Sequence, residues 1–371
     1  MDESSQWFFV VVAGLFGANV GSFLNVCIYR LPRKGLSVSK PKRSFCPTCG
    51  NWIRWLDNIP LVSWLALGGC CRYCRVPISS RYFIVEALTA VLFILVALRY
   101  LGGAEAQWAA FFVVVVLVAA LVVASFIDLE LRILPDEITL TGMAVMPFVA
   151  LLVPELHTRP VDHWVATVAY SLAPGLRVMQ GSFPSWLVSF PGTCTAVVVC
   201  GAIGFVAGLY GYAGYWRLVH PKEPKPVRDG WLGGVLTASF CAVAVGTMLH
   251  ADWVLTPRFQ SYAAAMVGMF VGSAIVFTVG ELGTRVFRKP AMGFGDVKLM
   301  GLLGAMTGWS GVIAGFFIAC FLGSVVGIVL LVKYRSRYLP FGPFLAVGSL
   351  AMILWPNALG AFFQWYRTLF F

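Results

Sequence analysis

The chain contains the stretch FFVVVVLVAALVVASFID at residues 111–128, an apolar run long enough for a helix that ends on the carboxylate of Asp128. A second acid, Asp296, ends the tetrapeptide GFGD at 293–296, just before another apolar segment. A charged side chain at hydrocarbon depth costs several kcal/mol unless it faces water or a partner. Two carboxylates held together can share one proton, so that one acts as acid and the other as base. The two stretches therefore predict two-aspartate chemistry, of the proteolytic kind, at a membrane surface.

Composition supports a membrane protein. The 371 residues are 59% hydrophobic and only 12% charged, with a mean hydropathy of +0.83, whereas soluble domains average about 25% charged residues. Many apolar runs approach the ~20 residues that span a bilayer. We predict an all-α polytopic membrane protein with about ten transmembrane helices, at 7–28, 82–101, 108–127, 138–154, 192–216, 230–250, 261–284, 297–309, 311–332 and 341–358.

The uneven distribution of charge predicts the topology. Residues 30–81 hold ten Lys and Arg against one acid, Asp57. The positive-inside rule places this loop in the cytoplasm, and ten crossings then bring Asp128 and Asp296 to the same cytoplasmic face. A basic loop is also compatible with nucleic acid, but topology and attraction to anionic lipid explain the charge without it. The predicted division is a first span at 1–28, a cytoplasmic loop domain at 29–81 and a transmembrane domain at 82–371.

Four cysteines in the basic loop form two CxxC pairs. They are Cys46, Cys49, Cys71 and Cys74, and two such pairs about 15–20 residues apart are a zinc-site signature. Disulfides are the rival interpretation, but the charge pattern places the loop in a reducing compartment. Cys70 is adjacent and could compete as a ligand, although the register of the pairs favours Cys71. Four thiolates leave no open coordination position, so the predicted zinc is structural.

Both aspartates also have ordinary structural interpretations. Asp128 could lie at a solvated helix end, and Asp136, which follows Pro135, resembles the N-cap of the next span. Asp296 could equally be the N-cap of the helix at 297–309. The glycines of that helix (Gly301, Gly304 and Gly308) would let helices approach closely.

Two other classes of function compete with a protease. A proton-coupled transporter would use intramembrane acids, but it predicts acids in mid-span or inverted repeats, and the sequence has neither. A membrane-anchored zinc-loop interaction protein would explain the cysteines but not the aspartates.

Several short motifs follow one another along the chain. They are Gly21-Ser22-Phe23-Leu24-Asn25-Val26, Tyr29-Arg30-Leu31-Pro32, Cys46-x-x-Cys49, Asn58-Ile59-Pro60, Ser63, Gly69, Cys71-x-x-Cys74, Arg81-Tyr82, Glu86, Asp128, Leu134-Pro135-Asp136, Gly293-Phe294-Gly295-Asp296, Lys298 and Pro340-Phe341-Gly342-Pro343. In this order they resemble the bacterial type 4 prepilin peptidases (prepilin leader peptidase/N-methyltransferases), which belong to the GxGD aspartic proteases. The resemblance covers roughly residues 7–154 and 261–358.

The resemblance implies a specific activity. It makes Asp128 and Asp296 the catalytic pair and leaves Asp136 without a catalytic role. The implied substrates are type IV prepilins and type II secretion pseudopilins, cut at the cytoplasmic face of the bacterial inner membrane. Many members then methylate the new α-amino group with S-adenosylmethionine, and the four-cysteine loop belongs to those members. The chain has no glycine-rich loop that announces this cofactor, so its binding residues stay unassigned, as does the oligomeric state.

One region departs from the family pattern. The family usually has eight spans, whereas this chain carries about 100 extra residues, at about 155–260, with two additional predicted spans. Two added crossings preserve the sidedness of everything downstream, so the aspartates are still expected on one face.

Overall fold

The structure, a computed structural model, describes residues 3–33, 38–39, 44–46, 48–103, 105–157, 255–289, 292–334 and 339–357, with scattered positions between 174 and 252. The described ranges hold isolated β-bridges and no strand, which confirms the all-α prediction. Within the continuous described ranges the α-helices are α1 (Glu3–Arg30), α2 (Val62–Ala66), α3 (Arg81–Leu101), α4 (Trp108–Leu131), α5 (Asp136–Leu152), α6 (Pro257–Phe287), α7 (Phe294–Tyr334) and α8 (Gly342–Leu354).

Five of the described helices are long and apolar enough to cross a membrane. They comprise Gln6–Arg30, Arg81–Leu101, Trp108–Leu131, Pro257–Phe287 and Phe294–Lys333. Large apolar side chains such as Leu15 and Phe317 are about two-thirds exposed, at 65% and 68%. Lipid is the solvent that such surfaces require, so the chain is a multi-pass membrane protein.

The count of ten spans is not confirmed. The predicted spans at 192–216 and 230–250, and most of the insertion around them, lie outside the described residues. The two predicted spans at 297–309 and 311–332 form one long helix, α7, which is interrupted at Gly308 by a non-helical backbone (φ 70°, ψ 176°). Only glycine adopts such angles readily, so the break falls where the sequence placed the boundary, within two residues.

The chain divides into two compact units. Unit 1 comprises Met1–Pro135 and Gly315–Pro356, and unit 2 comprises Asp136–Ala314 and Asn357–Phe371. Asp128 and the four-cysteine loop belong to unit 1, and Asp296 belongs to unit 2.

In unit 1, α1 packs closely against α3 along a stripe of small residues. A Cβ added at Gly17 would lie 2.9 Å from the Ala90 backbone, and one at Gly21 would lie 2.7 Å from the Glu86 backbone. Small residues at this spacing let transmembrane helices approach to backbone contact. The same face of α1 continues one turn further to Asn25, whose amide nitrogen donates to the Tyr82 carbonyl (3.1 Å).

In unit 2, α6 packs against the first half of α7 in the same way. A Cβ at Gly304 would lie 2.0 Å from the Gly268 carbonyl oxygen, and one at Gly301 would lie 2.5 Å from Ser273 Oγ. The predicted role of these α7 glycines in close helix packing is thus confirmed. His157 contacts both sides of this interface, through Ser261 Oγ (2.9 Å) and the Ala305 carbonyl (3.1 Å).

Candidate functional site

The Asp128 carboxylate is held at the start of another helix. Its Oδ2 accepts a hydrogen bond from the backbone N–H of Gly342 (3.0 Å), the first residue of α8, and the side chain is buried. The first N–H groups of a helix have no partner inside the helix, so the carboxylate satisfies one of them. A Cβ at Gly342 would lie 2.7 Å from Asp128 Oδ2, so glycine is required for this approach.

Local sequence explains why the acid stands at the end of α4. The helix closes at Leu131, and Arg132 adopts the left-handed conformation (φ 58°), with its N–H bonded to the Asp128 carbonyl (2.9 Å). Pro135 follows three residues after Arg132 and cannot continue the same helix. Asp128 therefore lies in the last turn of an apolar helix, as the sequence predicted, and the burial of its side chain argues against a merely solvated helix end.

Asp296 occupies the first turn of α7. The helix begins at Phe294, so Asp296 is its third residue and the N-cap interpretation is wrong. Its Oδ2 accepts from the backbone N–H of Gly293 (3.3 Å), which is the reciprocal contact of a capping box. Both aspartates thus contact the backbone N–H of a glycine at a helix start.

Asp136 forms an ion pair in unit 2. Lys298 Nζ lies 3.1 Å from Asp136 Oδ1, with the lysine side chain 11% exposed and the aspartate 40% exposed. Lys298 follows Asp296 by two residues on α7, and its ammonium also lies over the Phe294 ring (5.1 Å to the centroid). The pair ties the start of α5 to the start of α7, which gives Asp136 a structural partner.

The four predicted zinc ligands form one cluster. The sulfurs of Cys46, Cys49, Cys71 and Cys74 all lie within 4.8 Å of one another. Cys46 Sγ and Cys74 Sγ are 3.8 Å apart, too far for a disulfide, whose sulfurs are about 2.05 Å apart. A tetrahedral zinc with Zn–S bonds of about 2.3 Å places its sulfurs about 3.8 Å apart. The donor set and its spacing therefore fit zinc, and Cys70 is outside the cluster.

Two matching turns build this cluster. In the first, the N–H of Gly50 bonds the Cys46 carbonyl (2.9 Å), and in the second, the N–H of Arg75 bonds the Cys71 carbonyl (3.0 Å). Both donors have a left-handed backbone, with φ of 70° at Gly50 and 59° at Arg75. The repetition shows that each CxxC pair presents its two sulfurs from the same kind of turn.

At Cys46 and Cys71 the turns also favour thiolate, the form that binds metal. The backbone N–H of Cys49, then that of Thr48, hydrogen-bonds the Cys46 sulfur and lowers the pKa of this thiol to about 6. The N–H groups of Cys74 and Tyr73 likewise lower the pKa of Cys71. At these two positions the preference for thiolate therefore comes from the loop backbone. At Cys74 the backbone N–H of Val76 also lowers the pKa, but burial and the neighbouring cysteine sulfurs outweigh it and raise the pKa of this thiol to about 11.

Two carboxylates anchor the rest of the loop. Arg72 donates two hydrogen bonds to Asp57 (2.8 and 2.5 Å), and this guanidinium lowers the pKa of the Asp57 carboxyl. Glu86, on α3, accepts from the backbone N–H of Leu61 (2.7 Å), a residue with a positive φ of 64°. The loop is thus fastened to the first turns of α3.

A cavity of about 340 Å³ lies between this loop and the helix ends of unit 1. Its walls come from the last turns of α1, the first turns of α3 and the four-cysteine loop. Sequence reasoning missed it, although Asn25, a polar residue near the end of an apolar span, was the available signal.

Two family models of known proteins match parts of this chain. A model described as "Bacterial Peptidase A24 N-terminal domain" matches residues 15–100, and one described as "Type IV leader peptidase family" matches residues 228–328. The second range contains Asp296 and the first contains all four cysteines. The chain belongs to the type IV leader peptidase family.

Relatives with the name "Prepilin leader peptidase/N-methyltransferase" extend the match to the whole chain. The protein of Aeromonas hydrophila is 26% identical over 98% of this chain and 96% of its own length. That of Pseudomonas putida is 28% identical over 95% of this chain and 93% of its own. That of Myxococcus xanthus is 48% identical over 36% of this chain and 38% of its own. No solved structure matches the chain.

Proposed function

We propose that this protein cleaves the leader peptide of type IV prepilins and type II secretion pseudopilins with the carboxylates of Asp128 and Asp296. The observation that carries the proposal is the full-length similarity to relatives named as prepilin leader peptidases, together with an aspartate buried at the end of an apolar helix. The proposed site is at the cytoplasmic face of the bacterial inner membrane.

The two carboxylates have different roles, one as general base and the other as general acid. One, ionised, takes a proton from a water molecule as the water attacks the scissile carbonyl carbon. The other, protonated, donates a hydrogen bond to the carbonyl oxygen and later helps to protonate the leaving amine. Because the pair titrates as a unit, either residue can begin as the acid. The mechanism requires both carboxylates to reach one water molecule.

Backbone contacts prepare each carboxylate for this role. The N–H of Gly342 orients Asp128, and the N–H of Gly293 orients Asp296. Each bond fixes the position of one carboxylate oxygen. Side chains held by such contacts need less reorganisation when the substrate arrives.

We further propose that the protein methylates the new N-terminus. The neutral α-amine attacks the methyl carbon of S-adenosylmethionine, the C–S bond breaks, and its electron pair neutralises the sulfonium as a thioether. The methylated ammonium then releases a proton to water. Zinc held by Cys46, Cys49, Cys71 and Cys74 would fold the loop domain, and its four thiolates leave no position for substrate.

Mass spectrometry of a prepilin incubated with the purified protein tests both activities. The wild type should release the leader and add one methyl mass to the mature N-terminus. The Asp128→Asn and Asp296→Asn variants should leave the prepilin intact, while the matched Asp136→Asn variant should still cut. Normal cleavage by either of the first two variants would show that the assignment of the catalytic pair is wrong.

A further inference from the structure

The cavity of unit 1 combines a suitable size with an unusual set of polar groups. Its volume of about 340 Å³ is within the range of small-molecule sites, about 300–1,000 Å³. Aromatic side chains line it, among them Trp52, Trp64 and Tyr82. Asp128 is not among the lining residues, so the cavity is separate from that carboxylate.

Asn25 supplies an acceptor that the protein leaves unsatisfied. The residue is 2% exposed, and its amide nitrogen donates to the carbonyls of Gly21 (3.3 Å) and Tyr82 (3.1 Å). Its Oδ1 is buried and has no hydrogen-bond partner among the described residues. Buried polar atoms in native proteins are almost always paired, so this oxygen is suited to an N–H or O–H donor of a ligand.

Glu86 supplies a carboxylate in the same walls. It is 8% exposed, and Oε2 accepts from the Leu61 N–H (2.7 Å). Within the described part of the chain, no Lys, Arg or His forms an ion pair with it. A buried carboxylate needs a counter-charge, and a cationic ligand would provide one.

Arg30 adds the opposite charge on the α1 side. The residue is 8% exposed and lines the cavity, and its guanidinium donates to the Val38 carbonyl (3.2 Å). Guanidinium is the preferred protein partner of a carboxylate. The cavity therefore places a cation, an anion and an unsatisfied acceptor among aromatic rings, which stabilise cations and planar rings.

We propose that this cavity binds S-adenosylmethionine as the methyl donor, and this inference rests on the proposed methylation. Arg30 pairs with the carboxylate of the methionine part, and Glu86 pairs with its cationic groups. Asn25 Oδ1 accepts from an amino or hydroxyl group, and the Trp rings contact the adenine. A helical substrate segment is too wide for the cavity, since a helix with its side chains is about 10 Å across.

The first test is equilibrium binding of S-adenosylmethionine to the purified, zinc-loaded full chain in detergent. The Asn25→Leu and Glu86→Gln variants should each weaken binding by about tenfold or more, because each loses one buried polar contact. Asn19→Leu on α1 and Glu281→Gln on α6 are matched controls outside the cavity and should bind as the wild type does. Unchanged affinity in both cavity variants would overturn the proposal.

Leader cleavage serves as the folding control. A cavity variant that still cuts prepilin is folded, so its loss of donor binding is specific. If the Asn25→Leu variant cleaves no prepilin, a second variant takes its place in the binding test. Val26→Phe is suitable, because it fills the cavity from an adjacent lining position. Donor binding by Val26→Phe at the wild-type level would count against the site.

Photolabelling gives a readout on the wild-type protein alone. An 8-azido derivative of S-adenosylmethionine should label peptides from residues 22–30 or 44–86, and S-adenosylhomocysteine should prevent the labelling. Labels confined to other segments, or displaced by a leader peptide and not by S-adenosylhomocysteine, would overturn the site. A wild-type protein that cuts prepilin but neither binds S-adenosylmethionine nor transfers its methyl group would instead refute the proposed methylation, and the proposed site as well.

Discussion

Replacing Gly342 by alanine should impair cleavage by displacing a single carboxylate. The new Cβ would lie 2.7 Å from Asp128 Oδ2 and 3.3 Å from Asp128 Cγ, whereas ordinary contact begins at 3.4 Å, so the carboxylate must move by about 0.7 Å. Misplacement of a reacting group by about 1 Å can cost about 100-fold in rate. We expect kcat/KM to fall about 10- to 100-fold, equivalent to about 1.4–2.7 kcal/mol.

The assay is cleavage of a prepilin in detergent, followed by mass spectrometry, for the wild type and two glycine variants. Gly293→Ala is the matched control, because its Cβ would lie 3.5 Å from Asp296 Oδ2, an ordinary contact, and its rate should stay within about twofold of wild type. Equal thermal stability of the variants would show that Gly342→Ala acts locally. If Gly342→Ala cuts as fast as Gly293→Ala, then the contact between Gly342 and Asp128 does not position the catalytic group.

Three further predictions concern the metal centre and two ion pairs. Cys46→Ser should lose bound zinc, measured by elemental analysis, because only three of the four thiolate ligands are left. Undiminished zinc would refute the ligand set. Lys298→Met should lower the free energy of unfolding by about 1 kcal/mol, since a partly exposed pair with Asp136 is lost, and an unchanged melting temperature would contradict this. Arg72 lowers the pKa of Asp57, so the pair stabilises the loop above the unfolded-state pKa of about 4 and is lost only as the pH falls through the lower folded value. At pH 7, where the zinc ligands and the Asp57 pair are both intact, the Asp57→Asn variant should therefore show less proteolytic protection of the loop than the wild type, and equal protection would contradict the role of the pair.

The sequence predicted those features whose physical cause is local. Apolar length located the described spans, and the GFGD stretch marked the start of α7. The spacing of the CxxC pairs identified the cysteine cluster because each pair needs only a tight turn to present two sulfurs. These determinants lie within a few residues of the features that they specify.

The features that the sequence did not reveal depend on contacts between distant segments. The bond from Gly342 to Asp128 joins positions 214 residues apart, and the ion pair of Lys298 with Asp136 joins positions 162 apart. Hydropathy carries no information on such pairs. The sequence also suggested an N-cap role for Asp296, because the acid precedes an apolar run, but the helix begins two residues earlier at Phe294.

The most direct test of the two-aspartate mechanism is the distance between the carboxylates of Asp128 and Asp296 in a cryo-electron microscopy structure of the full chain with a bound prepilin. Two hydrogen bonds of about 2.8 Å to one shared water limit the nearest oxygens to about 5.6 Å apart, and the mechanism predicts a separation within that limit at the scissile bond. Carboxylates held more than about 10 Å apart, or at opposite faces of the membrane, could not share that water and would contradict the mechanism.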